Sequence, residues 1–247
     1  KQDRRKKASE AMQLLKEAQV ALARLVRDVN NSIRARVVLL PANSAGDNII
    51  FHAEGGDVVL PLLRQQKDGE ECLSLSDFVK PCGTDYVGAF AVTAGRGIEE
   101  IISGYQQTDD FKALLYQSLS DRLAEAAVEL LHARVRREVW GYAPDERIDR
   151  QRALRAQYRG IRPAAGYPSL PDQSAIFAIE KIVGFANVGI AVTPNGAMSP
   201  ASSVSGLMIA HPASRYFMIG AIAPDQRCDY AARRGITEEE LSKWLPK

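Results

Sequence analysis

The residues with the clearest chemical potential lie between Arg162 and Pro168, in the order Arg-Pro-Ala-Ala-Gly-Tyr-Pro. The guanidinium of Arg162 offers planar, paired donors that match a carboxylate. Pro163 and Pro168 restrict φ, and Gly166 has no Cβ, so a ligand can approach the main chain closely. Tyr167 adds an aromatic ring. The stretch therefore suits a small ligand with a carboxylate and a flat ring, although its Pro and Gly content is also typical of a surface loop.

Other residue patterns give weaker signals. The three histidines, His52, His132 and His211, are isolated and lack metal-ligand spacing, which favours structural or surface roles. The sequence Gly-Arg-Gly at residues 95–97 lacks the third glycine and the following acidic residue of a dinucleotide-binding fingerprint. We therefore expect no metal site in this chain and no catalytic nucleophile or general base.

Composition limits the class of protein. The 247 residues include 32 basic and 30 acidic ones, a balance that does not indicate a nucleic-acid or membrane partner. No apolar run reaches the roughly 18 residues that span a bilayer, and no signal peptide precedes the first predicted helix. Cys72, Cys82 and Cys228 show neither a disulfide framework nor a zinc spacing. We expect a cytoplasmic protein, and the start at Lys1 without an initiator Met favours a segment of a longer chain.

The N-terminal part of the chain is predicted to contain two long helices with strands between them. Apolar residues at helical spacing predict a helix over residues 1–29. Short β-type runs separated by Pro, Asn and Gly predict strands at residues 36–40, 48–52 and 58–62, and a buried strand at 85–93. The longest helix is expected at residues 111–140, with one buried stripe formed by Leu115, Leu119, Leu123, Ala126 and Leu130.

A second group of helices and strands is predicted after residue 168. Pro171 can open a helix whose apolar face comprises Ile176, Ile179, Val183 and Ala186. Strands are expected at residues 189–193, 204–209 and 216–223. Asp225 is expected to cap a helix that Gly235 ends, and Thr237 with Glu240 predicts a capping box for a final helix. Clustered strands favour an α+β fold, a single domain with a twisted, largely antiparallel sheet covered by helices.

Several of these stretches resemble one known family. They are Leu-Pro-Ala-Asn-Ser-Ala-Gly-Asp-Asn-Ile at residues 40–49, Asp-Arg-Leu-Ala-Glu-Ala at 121–126, Trp-Gly-Tyr-Ala-Pro-Asp-Glu at 140–146, the 162–168 stretch, and the blocks at 63–66, 85–93, 197–206, 211–217, 225–235 and 244–246. In this order they resemble the C-terminal activation domain of cobalamin-dependent methionine synthase, which binds S-adenosylmethionine. The resemblance implies one activation domain, with residues 1–30 as its N-terminal helix and 31–247 as its body.

The resemblance also implies the ligand-binding residues, which are Arg162, Ala164, Gly166, Tyr167, Tyr216, Phe217 and Glu125. In the family, the Arg of this motif binds the methionine carboxylate, and the main chain that follows it lines the nucleoside. Tyr216 matches the Tyr of the family's His-Pro-x-Ser-x-Tyr block, and Glu125 is the acidic contact implied for the cationic end of the ligand. Two family features differ here, because no Ile-Asp-Trp segment precedes the first helix and Gln173 stands where a His is frequent.

The function implied is reactivation of methionine synthase. Cobalamin and zinc are expected on other domains, because the Asp-x-His-x-x-Gly cobalamin motif and a zinc-binding cysteine cluster are not in this sequence. The module would dock on the cobalamin-binding domain and present a methyl group to cobalt, with an electron from flavodoxin or an equivalent reductase. The isolated chain is not expected to make methionine. Two alternatives remain at this point: a binding or interaction module that lost reactivation, and a stand-alone methyltransferase.

Overall fold

The computed structural model describes residues 2–28 and 32–245 and shows an α+β fold. The helices are α1 (Gln2–Asp28), α2 (Arg96–Gln106), α3 (Asp110–Arg134), α4 (Arg150–Leu154), α5 (Ala175–Val183), α6 (Pro224–Arg234) and α7 (Glu238–Trp244). The strands are β1 (Arg34–Ser44), β2 (Asn48–Ala53), β3 (Gly56–Pro61), β4 (Tyr86–Thr93), β5 (Ala191–Val192), β6 (Met198–Ser199) and β7 (Ser203–Met208). The predicted first helix is confirmed as α1, while its predicted ends, Lys1 and Val29, lie outside the described residues.

Five strands form one antiparallel sheet in the order β3-β2-β1-β4-β7, which confirms the predicted fold class. Strand β4 lies between β1 and β7, and its residues from Val87 to Thr93 are all buried. A second, two-stranded sheet pairs β5 with β6. None of the helices in the described residues has the length and apolarity needed to cross a lipid bilayer.

Both faces of the sheet are covered, because side chains alternate between the faces along a strand. Val87, Ala89 and Ala91 of β4 belong to one buried cluster that includes residues of α5. Phe90 and Val92 belong to another, together with Val128 of α3. Helix α3 therefore packs on the opposite face of the sheet from α5, and one side of α3 remains available to line a site.

The buried face of α3 is offset from the predicted stripe by about one residue. The buried positions are Ala113, Tyr116, Ser120, Ala124, Val128 and His132. Leu130, which was predicted to be buried, is 62% exposed, and Ala126 is also exposed. The pattern was misleading because small and polar side chains, among them Ser120, Ala124 and His132, occupy much of the buried face. After Arg134 the chain continues as a π-helical turn, Val135–Val139, so the predicted helix end near residue 140 is close to the observed one.

The predicted strand at residues 216–223 is also wrong, although its apolar pattern is strand-like. The segment bonds to a neighbouring loop and to side chains rather than to a sheet: Phe217 N–H donates to Ser169 Oγ at 3.1 Å, and Ile219 N–H donates to Pro168 O at 3.0 Å. Met218 O accepts from Gln65 Nε2 at 2.8 Å. In the predicted strand at 189–193, only Ala191–Val192 pairs with another strand.

Local helix signals were partly correct. Helix α5 begins at Ala175 rather than near Pro171, and Ala186, predicted on its apolar face, is exposed beyond the helix end. Asp225 lies in the first turn of α6 but is not its N-cap, which is Ala223. Gly235 ends α6 with a φ of 67°, as predicted. At α7, Glu240 N–H donates to Thr237 Oγ1 at 3.1 Å, which is one of the two hydrogen bonds of the predicted capping box.

Candidate functional site

A cleft of about 940 Å³ opens between α3 and the chain around the Arg162 stretch. Its lining comprises Phe90, Arg122, Glu125, Ala126, Val128, Glu129, Arg150, Ala153, Leu154, Ala156, Tyr158, Arg162, Pro163, Ala164, Tyr167, Pro168, Ser169, Val204, Tyr216 and Phe217. Six of the seven predicted site residues are in this set, and Gly166 is the exception. The cleft therefore brings together residues that are far apart in the sequence.

The outer edge of β7 positions one wall of the cleft. Residues 161–165 run antiparallel along it, with Ile161 N–H donating to Ile209 O at 2.9 Å and Leu207 N–H donating to Pro163 O at 2.9 Å. A Cβ at Gly206 would lie 2.3 Å from Pro163 O, so only glycine permits this close approach. The edge of the sheet thus fixes the backbone on both sides of Arg162.

Gly166 shapes the turn that follows this wall. Its φ is 82°, a conformation that favours glycine, and a Cβ would lie 2.4 Å from Gln173 Oε1. Its N–H donates to Leu170 O at 2.9 Å. Gly166 lines a separate hollow of about 580 Å³ on the other side of Tyr167. The structure therefore places Gly166 next to the cleft lining rather than within it.

The guanidinium of Arg162 is held by three side chains. Nη2 donates to Glu129 Oε2 at 2.6 Å, and Nη1 donates to Tyr158 Oη at 2.5 Å. Nη1 also lies 3.4 Å from His132 Nδ1. The Arg162 side chain is 16% exposed and that of Glu129 is 32% exposed, so solvent screening of the pair is reduced. These contacts hold the guanidinium in one orientation in the lining of the cleft.

His132 is buried behind Arg162 in its neutral form. Burial is the main cause that lowers the pKa of its imidazole to about 2, and the nearby charges of Arg136 and Arg162 add to it. Nδ1 faces the Arg162 donor, so Nε2 carries the hydrogen and donates to Tyr142 Oη at 3.2 Å. The ring also packs edge-on against Tyr158, with centroids 5.1 Å apart. His132 therefore supports the orientation of Arg162 without adding charge.

A second arginine supports the same cluster. The π-helical turn after α3 places Arg136 in a buried position, where Nε donates to Glu146 Oε2 at 2.5 Å. Its Cζ lies 4.3 Å from the centroid of the Tyr158 ring. Burial, followed by the proximity of Tyr216, raises the pKa of Tyr158 above its ordinary value, so its phenol stays protonated. Stacking on Tyr158 therefore ties the turn to Arg162.

Acidic side chains line the α3 wall. Glu125 and Glu129 are one helical turn apart and both line the cleft. Tyr167 Oη donates to Glu125 Oε1 at 3.1 Å, which links this wall to the opposite one. Burial, and then the charge of Glu125, raise the pKa of Tyr167. The cleft thus presents carboxylates on the wall that faces the Arg162 stretch.

The predicted aromatic residues close another side. Tyr216 Oη accepts from the backbone N–H of Arg162 at 2.9 Å, and Phe217 is held through its backbone by the Ser169 hydroxyl. Ala164 forms an isolated antiparallel bridge to Gly206 and lines the cleft beside Pro163. These positions place aromatic rings and a side-chain-poor backbone around the same space.

Sequence reasoning missed Glu129, and it did not connect His132 to the site. Glu129 lies four residues after Glu125 and His132 seven residues after it, so all three lie near one line along a helix. That spacing was visible in the sequence. The predicted stripe of α3 concealed it, because a different set of residues was expected to be buried.

Known proteins share this fold. The family described as vitamin B12 dependent methionine synthase, activation domain, matches residues 1–235. A crystal structure of the MetH reactivation domain bound to AdoHcy is similar to this chain, with a TM-score of 0.87 and 37% sequence identity. That match covers 96% of this chain and 76% of the other. The chain therefore belongs to the activation domain family of vitamin B12-dependent methionine synthase.

Proposed function

We propose that the cleft binds S-adenosylmethionine and that the chain is the reactivation module of a cobalamin-dependent methionine synthase. The ligand carries a carboxylate, an ammonium, a sulfonium and an adenine, so its site needs one cation, carboxylates and apolar surface. The observation that carries the proposal is a single cleft whose lining includes Arg162, Glu125 and Tyr216. Its volume of about 940 Å³ lies within the range of about 300–1,000 Å³ that is common for ligand pockets.

The proposed roles follow the chemistry of the lining. Arg162 binds the carboxylate, because its fork supplies paired, charge-assisted donors. The backbone from Ala164 to Tyr167, including Gly166, lies along the nucleoside. Tyr216, with Phe217 beside it, offers a ring face to the sulfonium, an attraction of about 0.5–2 kcal/mol. Glu125 complements the cationic end of the ligand.

In this proposal the chain binds and orients the ligand, and no side chain acts as a general base. The ligand supplies the methyl group, whose bond to sulfur breaks as a bond to cobalt forms. The acceptor is cob(II)alamin on a separate domain, and one electron from flavodoxin or an equivalent reductase balances the transfer. S-Adenosylhomocysteine is the other product.

The wider biochemical setting is proposed as well. The module is one domain, with residues 1–30 as its first helix and 31–247 as its body, and works on the cobalamin-binding domain of the synthase. We do not expect it to make methionine from homocysteine alone. Three cysteines without disulfide bonds support a reducing cytoplasm as its compartment. Neither of the alternatives, a module that lost the ligand or a stand-alone methyltransferase, is favoured by the family match.

Calorimetric titration with S-adenosylmethionine tests the binding role, and one saturable site is expected. The transfer role is tested by mixing the chain with the cobalamin-binding region of a matching synthase, S-adenosylmethionine and a reductant. The absorbance spectrum of methylcobalamin should appear only in the complete mixture. A titration that showed no heat and no saturation would favour an interaction module that lost the ligand. Methionine formed without the cobalamin region would contradict the modular role.

A further inference from the structure

The ion pair between Arg162 and Glu129 fits the charged end of an amino acid. We propose that Glu129 binds the α-ammonium group of the ligand while Arg162 binds its α-carboxylate. This inference rests on the proposed function and deepens it, because it names the residue that recognises the ligand as an α-amino acid. Glu129 is then a specificity-determining residue as well as a partner of Arg162.

The geometry places the two charges side by side. Glu129 Oε2 lies 2.6 Å from Arg162 Nη2, and both side chains line the cleft with part of their surface exposed. Within residues 2–28 and 32–245, the hydrogen bonds of the guanidinium are those to Glu129, Tyr158 and His132. These bonds use three of its five N–H donors, so donors remain for a ligand carboxylate. Glu129 likewise has lone pairs left for an ammonium group.

The chemistry of an α-amino acid matches this spacing. Its ammonium and carboxylate are bonded to the same carbon. A ligand carboxylate bound to Arg162 therefore brings the ligand ammonium close to the carboxylate of Glu129. A zwitterion set against an existing ion pair adds no net charge to the cleft, and each ligand charge meets an opposite one. An unpaired charge in such a half-buried site would instead carry a large desolvation cost.

Glu125 differs in its surroundings. Its Oε1 accepts from Tyr167 Oη, on the side of the cleft next to the Ala164 wall, and it makes no ion pair with an arginine among the described residues. Glu125 therefore remains available for the sulfonium, while Glu129 is committed to the end of the ligand that Arg162 binds. The two glutamates divide the two positive charges of S-adenosylmethionine between them.

The test uses ligands that each lack one group. S-Adenosylhomocysteine has no sulfonium, so its only charges at neutral pH are those of its amino-acid end, and its analogues without the amino group or without the carboxylate remove one charge each. Titration of wild type and of Glu129→Gln with these three ligands separates the contacts. We expect Glu129→Gln to weaken the binding of S-adenosylhomocysteine by roughly 10- to 150-fold. The affinity for the analogue without the amino group should stay within about twofold of wild type.

Glu138→Gln is the matched control, because it removes a carboxylate that pairs with Arg134 at an exposed position. Its affinities should equal those of wild type. Glu129→Asp keeps the charge but shortens the side chain by one methylene group, and it should restore part of the affinity for S-adenosylhomocysteine only. If Glu129→Gln proved too unstable to titrate, Glu129→Asp would carry the same comparison, with a loss confined to ligands that have the amino group.

The outcomes distinguish this inference from the proposed function. Equal losses for ligands with and without the amino group would show that Glu129 only positions Arg162, and tighter binding by Glu129→Gln would show that it competes with the ligand carboxylate. Either result overturns the inference while the site stands. Wild-type chain that bound neither S-adenosylmethionine nor S-adenosylhomocysteine would overturn both.

Discussion

Tyr216 Oη accepts a 2.9 Å hydrogen bond from the backbone N–H of Arg162, across 54 residues of sequence. The same Oη lies 3.5 Å from Tyr158 Oη, which in turn accepts from the guanidinium of Arg162. Tyrosine hydroxyls therefore hold both the main chain and the side chain of Arg162. The Tyr216 side chain therefore lines the cleft with its ring and holds the backbone of Arg162 with its hydroxyl.

Tyr216→Phe should separate these two roles. The ring remains, but the acceptor for the Arg162 N–H is lost, and a typical hydrogen bond contributes about 0.5–1.5 kcal/mol. We expect S-adenosylmethionine to bind roughly 2- to 13-fold more weakly by calorimetry. Tyr86→Phe is a suitable control, because Tyr86 is also 43% exposed but does not line the cleft. Unchanged affinity in Tyr216→Phe would mean that the anchor does not contribute to ligand binding.

Arg162→Ala should weaken S-adenosylmethionine binding by roughly 10- to 150-fold, because charge-assisted hydrogen bonds are worth about 1.5–3 kcal/mol. Arg162→Lys should restore only part of this loss, since an ammonium is a point charge and not a fork. Arg134→Ala removes an exposed ion pair and should leave binding unchanged. Wild-type affinity in Arg162→Ala, with an unchanged melting temperature, would show that the carboxylate binds elsewhere.

The sequence was most informative where one type of residue dominates an element. β4 was predicted because both of its faces are buried, which produces a continuous apolar run. α3 was recognised as a helix, but its orientation was wrong because Ser120 and His132 occupy the buried face and Leu130 is exposed. Hydrophobic periodicity reports which side chains are apolar, and here the polar ones at the interface have partners that the pattern cannot show.

Local sequence patterns also did not reveal the partners of Arg162 in the candidate site. Arg162 was found from its local motif, whereas its partners Glu129 and His132 lie 33 and 30 residues before it. Their contact depends on the rotation of α3 and on the pairing of residues 161–165 with β7. The error at residues 216–223 has a similar origin, because that segment bonds to Pro168 and to the side chains of Ser169 and Gln65 rather than to a strand. Long-range pairing of this kind cannot be inferred from local periodicity.

Gly206→Ala should disturb the wall that carries Arg162. The new Cβ would lie 2.3 Å from Pro163 O and 2.7 Å from Ala164 Cα, and both are backbone atoms that cannot rotate away. We expect a loss of about 1–3 kcal/mol in the free energy of unfolding, measured by urea denaturation, and weaker ligand binding. Gly104→Ala, in α2, meets no atom within 4 Å and should be neutral or stabilising. Equal stability of the two variants would show that the wall can shift away from β7.

Glu125→Gln should weaken the binding of S-adenosylmethionine more than that of S-adenosylhomocysteine. Only S-adenosylmethionine carries the sulfonium charge that Glu125 is proposed to bind. The loss should be larger at low salt than at high salt, since the half-buried carboxylate is partly screened by ions. Titrations at two ionic strengths measure both effects, with Glu10→Gln on the exposed surface of α1 as the control. Equal losses for the two ligands would place the sulfonium away from Glu125.

His132 should make the stability of the fold depend on pH below neutrality. Its folded pKa is about 2, whereas an unfolded histidine has a pKa of about 6.5. Above pH 6.5 both states are neutral and this contribution is fully present. As the pH falls below 6.5, the unfolded state binds a proton that the folded state does not. The free energy of unfolding should then fall by about 1.4 kcal/mol per pH unit, or about 2 kcal/mol between pH 7 and pH 5.

Urea denaturation at several pH values in this window measures that slope, above the range in which ordinary carboxylates titrate. His132→Gln removes the titrating group while its amide can still accept from Arg162 and donate to Tyr142, so the slope should diminish. His211→Gln, at an exposed position, should retain it. A slope that persisted in His132→Gln would mean that another group, and not the neutral histidine behind Arg162, binds the proton on unfolding.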